Sequence, residues 1–253
     1  RVYWDGAFID SRQSSGFYAG NTDMNIGRWV LIAGEQEYFN GSIDDVRIYN
    51  RALSADEIRK LNGAGSSKLN SSQNRKVTNG LVGLWSFDGA DMNWGSNTVL
   101  DGSSSGNTGT LVGISTTTSP KPGKIGQALY FDGSDYVEID SIMGSSQTLT
   151  LSGWANLNIA DFGGSELISI GDYVALRLDY LFVNGPCGFY YNGTNWDNAT
   201  CYGGGNNAGT GWHHFAYSVD TINDVQKLYI DGNMMTQTTY ADAISYSGLG
   251  TQT

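Results

Sequence analysis

Short runs in which apolar and polar residues alternate recur along this chain, each bounded by Gly, Asn or Asp, and they predict half-buried strands. From Ile43 to Tyr49, Val46 and Ile48 fall on one face, with Asp45, Arg47 and Tyr49 on the other. Leu149 and Leu151 alternate with Thr148 and Thr150. Val174, Leu176 and Leu178 alternate with Ala175, Arg177 and Asp179, while His213, Phe215, Tyr217 and Val219 share a face. Val2 to Trp4 runs into an Asp5-Gly6 turn, with Ala7 to Ile9 as the return strand. Leu228-Tyr229-Ile230-Asp231-Gly232 repeats that pattern 226 positions later, a period of about one sandwich domain. A single short helix is expected. Ser54 and Glu57 form a capping box, Leu53 and Ile58 staple across it, and Gly63 supplies a left-handed stop after about two turns.

Composition sharpens the picture. Gly is abundant (35 residues) and Pro scarce (3), which suits short strands joined by glycine turns. The formal charge of −11 repels nucleic acid and is compatible with divalent cations. No apolar run reaches the length of a membrane span, and no leader pattern occurs in the residues given. Residues 62 to 80 are rich in Ser, Asn and Gly and read as a linker.

The stretch Phe39 to Ser54, containing Gly41, Ile43-Asp44-Asp45-Val46-Arg47-Ile48-Tyr49 and Asn50-Arg51-Ala52-Leu53, resembles the closing strand of the laminin-G-like, concanavalin A-like jelly rolls of bacterial surface proteins. Leu81 to Phe87 with Asp88-Gly89 resembles the family's opening strand. Asp101 to Leu111 resembles its Asp-x-Ser-Gly-x-Gly-Asn loop, with one inserted residue, and Gly123 to Ile139 resembles its next hairpin. The order is unusual, because a closing motif precedes the opening one. The expected organisation is therefore residues 1–62 as the C-terminal strands of one jelly roll, 63–79 as linker, and 80–253 as a second jelly roll without its own closing strand, as in a window from a tandem array. In the alternative arrangement, residues 1–62 close the sandwich begun at residue 81, within one chain or by donation to a neighbour. The expected class is an all-β, two-sheet antiparallel jelly-roll sandwich.

The resemblance also implies a structural Ca²⁺ at one rim, with Asp88, Asp101 and Asn107 as ligands and an Asp from the closing strand. Asp44, read on the Val46 and Ile48 face, is the first choice for that position, and Asp45 the second. The competing reading is that these side chains cap turns. Cys187 and Cys201 flank a stretch that reads as a hairpin, and a bridge between them would indicate an oxidising, extracellular setting. Tyr190, Tyr191, Trp196 and Tyr202 cluster around that hairpin and could stack on sugar rings. Sequons stand at Asn40, Asn70, Asn192 and Asn198 and matter in a glycosylating host.

Enzymatic signatures are weak. Glu35 and Glu37 lie in a polar segment beside Tyr38, and His213 and His214 point to opposite faces. The expected function is a non-catalytic cell-surface module for adhesion or carbohydrate recognition, binding a surface glycan or protein. The alternatives are a structural repeat or strand-donating subunit that contacts copies of itself, and a glycan-active enzyme.

Overall fold

Two antiparallel sheets enclose one apolar core in the computed structural model, which describes residues 2–4, 7–10, 24–30, 36–66, 77–140, 142, 144–159, 165–180, 184–196, 199–205, 207–239 and 242–246. Asp5, Gly6, Glu35, Asn70 and Asn198 fall outside the described residues. The first sheet runs, in spatial order, β11 (Pro120–Pro122), β12 (Gln127–Asp132), β6 (Asn40–Tyr49), β14 (Thr148–Leu157), β19 (His213–Asp220), β20 (Val225–Ile230) and β21 (Asn233–Thr238). A further strand of this sheet, β7 (Leu81–Trp85), also pairs with β6. The second sheet runs β18 (Thr200–Cys201), β17 (Cys187–Tyr190), β16 (Val174–Arg177), β15 (Glu166–Ile170), β3 (Met24–Ile26), β13 (Tyr136–Ile139), β10 (Gly109–Val112), β9 (Thr98–Val99) and β8 (Met92–Asn93). Two further two-stranded sheets are formed by β1 (Val2–Trp4) with β2 (Ala7–Asp10) and by β4 (Arg28–Val30) with β5 (Gln36–Tyr38).

The alternation read from the sequence sets which side chains meet. Ile43, Val46 and Ile48 of β6, Leu149 and Leu151 of β14, and Phe215, Tyr217 and Val219 of β19 face Met24, Ile26, Ile168, Ile170, Val174 and Leu176 of the other sheet, and all are buried. Each such side chain contributes about 1.5–3 kcal/mol of burial. β3 and β6 both come from the first forty-nine residues, yet each lies inside a sheet whose other strands come from residues 81 to 238. β6 is the joint. Its first half pairs with β12 (Ile43 opposite Leu129), its second half with β7 (Val46 opposite Trp85), and its other edge with β14 (Ile48 opposite Leu151).

After β6 the chain enters α1 (Ala55–Ser66). The capping box forms as expected: the Glu57 N–H donates to Ser54 Oγ at 3.3 Å, and the Ser54 N–H donates to Glu57 Oε2 at 3.0 Å. Ile58 and Leu61 pack on Tyr49, Ala216 and Tyr229, so the helix covers the outer face of the first sheet. The helix does not stop at Gly63. That residue keeps a helical backbone and α1 continues to Ser66, because no left-handed φ develops at Gly63 to break the hydrogen-bond series. Beyond residues 67–76, Val77 is buried against Tyr49, whose hydroxyl donates to the Val77 carbonyl at 3.0 Å, so this end of the linker is docked on the sheet.

Cys187 and Cys201 form a disulfide across β17 and β18, where the two residues are register partners. The bridge spans 14 positions. Replacing both cysteines by Ser is expected to cost about 2–3 kcal/mol through the freed loop, read as a lower urea midpoint with unchanged slope.

Candidate functional site

The site grows from a bulge. On β14, Trp154 pairs with Asp44 and Ser152 with Arg47, so Asp45 and Val46 together oppose the single residue Gly153. Asp45 takes φ of +51°, which resets the phase of the strand. Asp44 therefore joins Arg47 along the cleft on the outer face, instead of sharing the inward face of Val46 and Ile48 as the plain alternation suggested. Gly153 suits this position, since a Cβ there would stand 3.3 Å from the Val46 side chain.

A cleft of about 460 Å³ opens here, lined by Asp44, Asp45 and Arg47 from β6, Ser86, Asp88 and Asp91 beyond β7, Ser103 and Ser104, and Ile125. The Gly123–Gly126 turn forms one wall and is held by two carboxylates. The Ile125 N–H donates to Asp44 Oδ2 at 2.8 Å, and the Gln127 N–H donates to Asp88 Oδ1 at 2.8 Å. Both glycines matter. A Cβ at Gly123 would stand 2.6 Å from Asp44 Oδ2, and one at Gly126, where φ is +65°, would stand 2.1 Å from Asp88 Oδ1.

The electrostatics are unbalanced in favour of negative charge. Asp44 is fully buried and its Oδ1 has no hydrogen-bond partner. Burial pushes its carboxyl up to about 8, with Asp45 and Asp88 adding to the rise and the amides of Ile125 and Lys124 opposing it. Asp45 is gripped by Arg47, which reaches its two oxygens at 2.9 and 3.0 Å, yet burial still holds the Asp45 carboxyl above its ordinary range. Next door, burial and the Arg47 charge press His214 down to about 3, so its imidazole is neutral against Trp154. A cation entering the cleft would relieve the crowding of Asp44, Asp45 and Asp88 and give the Asp44 oxygen a partner.

Of the five residues expected to ligate a metal, the cleft gathers Asp44, Asp45 and Asp88. Asp101 and Asn107 are committed elsewhere. Asp101 accepts from the backbone of Leu84, Ser103 and Asn107 and from the Ser103 hydroxyl, and the Asn107 amide donates to the Val82 carbonyl at 2.7 Å. Asp101 caps its own turn, and Asn107 ties that turn to β7. Among the described residues no three carboxylate, imidazole or thiolate groups converge tightly enough to hold an ion by themselves, so an ion here would also draw on carbonyls, hydroxyls and water. Sequence reasoning missed Asp91, whose Oδ2 accepts from the Ser86 hydroxyl at 2.5 Å. The Asp88-Gly-Ala-Asp91 spacing was the available signal.

Two of the four rings of the expected aromatic platform are turned inward. Tyr190 is fully buried in the main core and donates to the Asp242 carbonyl at 2.7 Å, and Tyr191 is buried too. Trp196 lies against Trp29, Phe189 and Tyr191 with centroids 5.1, 5.7 and 5.6 Å away, and Tyr202 packs on the core. Packing consumes Tyr190 and Tyr191, while Trp196 and Tyr202 stay half-buried, which composition alone could not reveal.

Thr210, His213 and Asp231 fall in the order of a nucleophile–base–acid relay. His213 Nδ1 lies 2.7 Å from Asp231 Oδ2, and its Nε2 lies 2.9 Å from Thr210 Oγ1. The Thr210 hydroxyl also donates to the Asn207 carbonyl at 2.6 Å, which directs its proton away from the imidazole. This network ties a loop to the β20–β21 turn.

Compared with known protein families, residues 1–59 and 131–251 match Laminin_G_3, described as the concanavalin A-like lectin/glucanases superfamily. No match was found among curated proteins, and none among solved structures.

Proposed function

Because the chain belongs to the concanavalin A-like lectin/glucanase superfamily, we propose that it is a non-catalytic, extracellular module of a large surface protein, mediating adhesion or carbohydrate recognition at the acidic cleft. The observation that carries this reading is the buried, unpartnered Oδ1 of Asp44 in a concave site that also holds Asp88. Asp44 and Asp88 would hold a Ca²⁺ ion, with backbone carbonyls and water filling the remaining positions. When bound, the ion supplies positive charge to a site otherwise crowded with carboxylates. Ser86, Ser103, Ser104 and Arg47 line the same cleft and can hydrogen-bond ligand hydroxyls. The disulfide supports an extracellular setting.

Two features support a non-catalytic reading. Glu37 and Glu166 are both hydrogen-bonded to Arg177, whereas a retaining glycosidase keeps its two carboxyls about 5 Å apart astride the scissile bond. The relay hydroxyl of Thr210 is directed at a carbonyl. A glycan array probed with the chain in Ca²⁺ and in EDTA tests the proposal. Binding to defined glycans that EDTA and Asp88→Asn both remove is expected. Turnover of a bound polysaccharide would overturn it.

A second reading rests on the interior position of β3 and β6. Strands placed there could be delivered to a neighbouring copy, which would build a filament or coat from the same contacts. Light scattering and negative-stain microscopy separate the two, since donation yields ordered fibres and self-closure yields monomers.

A further inference from the structure

On the outer face of the second sheet, apart from the cleft, one guanidinium serves two carboxylates. Arg177 of β16 donates from Nε to Glu166 Oε1 on β15 and from Nη2 to Glu37 Oε2 on β5. Its guanidinium also lies over the rings of Trp29, Tyr180 and Phe189, at 4.7, 5.4 and 5.2 Å. Glu166 is fully buried, and its second oxygen, Oε2, has no donor within reach. One buried positive charge cannot neutralise two carboxylates. A proton on Glu166 removes the surplus charge and makes its carboxyl a donor for the Glu37 carboxylate that shares Arg177 with it.

We propose that the proton shared by Glu37 and Glu166 is a pH-sensitive clasp that holds the β4–β5 hairpin against the second sheet. The base of the hairpin, where Arg28 pairs with Tyr38 one ladder step from Glu37, is fixed independently. Ser169 Oγ donates to the Arg28 carbonyl at 2.8 Å, and Arg28 bonds Asn25 at 2.8 Å, lies 3.7 Å from Glu138 and covers the Tyr136 ring. Other ionisable groups near this network, among the described residues, include Tyr38 of β5, Asp179 and Tyr180 just beyond β16, and Tyr191, which packs on Trp196. β17 contributes Phe189 and the disulfide-bonded Cys187.

The direction of the effect follows from burial, which raises the Glu166 carboxyl well above its ordinary 4.5, with Arg177 opposing and Glu37 adding to the rise. The folded state keeps a proton that the unfolded chain releases near 4.5. The clasp's contribution is complete below that pH and is lost as pH rises through the folded value of Glu166. Losing it leaves the second carboxylate charge beside Glu37 uncompensated and loosens the hairpin over Phe189.

Hydrogen exchange read by mass spectrometry on peptides covering residues 28–38 and 165–178, corrected for the intrinsic pH dependence of exchange, tests the clasp. In the wild type, opening of these peptides is expected to rise about tenfold or more between pH 5 and pH 9, ahead of the core strands. In Glu166→Gln the amide donates to Glu37 at every pH, so the rise disappears. Glu37→Gln removes the second charge and flattens the response as well, which keeps the test available if the first variant folds poorly. Any pH effect arising in the acidic cleft is common to wild type and variants and cancels in the comparison. Equal protection at both pH values in the wild type, or an unchanged response in a folded variant, would overturn the proposal.

Discussion

Replacing Asp44 by Asn is expected to stabilise the calcium-free protein by about 6 kcal/mol at pH 9 and to leave it nearly unchanged at pH 4. The folded protein holds the Asp44 proton until about pH 8, because its carboxyl is buried beside Asp45 and Asp88. The unfolded chain releases that proton near 3.8, the ordinary value. The stabilisation from the protonated form is therefore complete below the unfolded value and is lost as pH rises from about 4 to about 8. Asn keeps an acceptor for the Ile125 N–H and carries no charge, so the variant escapes that loss. Thermal denaturation in EDTA across this pH range checks it. A wild-type curve that stays flat, or a variant curve that runs parallel to it, would mean that Asp44 is ionised at little cost.

The largest loss of stability is expected from Trp85→Ala. Trp85 is fully buried at the point where β7 meets β6, opposite Val46, and its Nε1 donates to the Asn107 carbonyl at 3.0 Å. The backbone of Gly83 lies directly against the ring: a Cβ there would stand 2.2 Å from Trp85. Truncation leaves a cavity and an unpaired carbonyl, together costing about 3–5 kcal/mol. That is a large share of the total stability of a domain of this kind. Equilibrium urea unfolding measures it. A loss below about 1 kcal/mol would show that β7 is not seated on β6 as described.

How much of this was legible in the sequence depends on the residue. Alternation placed Ile48, Leu151, Phe215 and Tyr217 on inward faces, because a period of two is intrinsic to a strand and only one face can be dry. The capping box of α1 was legible because Ser54 and Glu57 satisfy each other locally. Asp44 was assigned to the wrong face because a bulge depends on what lies opposite, here Gly153 on a strand more than a hundred residues away. Tyr190, Tyr191 and Trp196 read as a sugar platform because their neighbours in sequence are polar. Their neighbours in space are Trp29 and the core, which no local pattern displays. Asp101 and Asn107 carried a family motif, yet their hydrogen bonds go to backbone amides and a carbonyl.

The central claim is that Asp44 of β6 and Asp88 beyond β7, residues from the two segments of the chain, form one site in one sandwich. Calorimetric titration of Ca²⁺ into wild type, Asp44→Asn and Asp88→Asn tests it most directly. One ion per chain is expected for the wild type, with proton release on binding near pH 7 from Asp44, and loss of binding is expected in each single variant. Absence of binding by the wild type, or binding that survives in either variant, would contradict it.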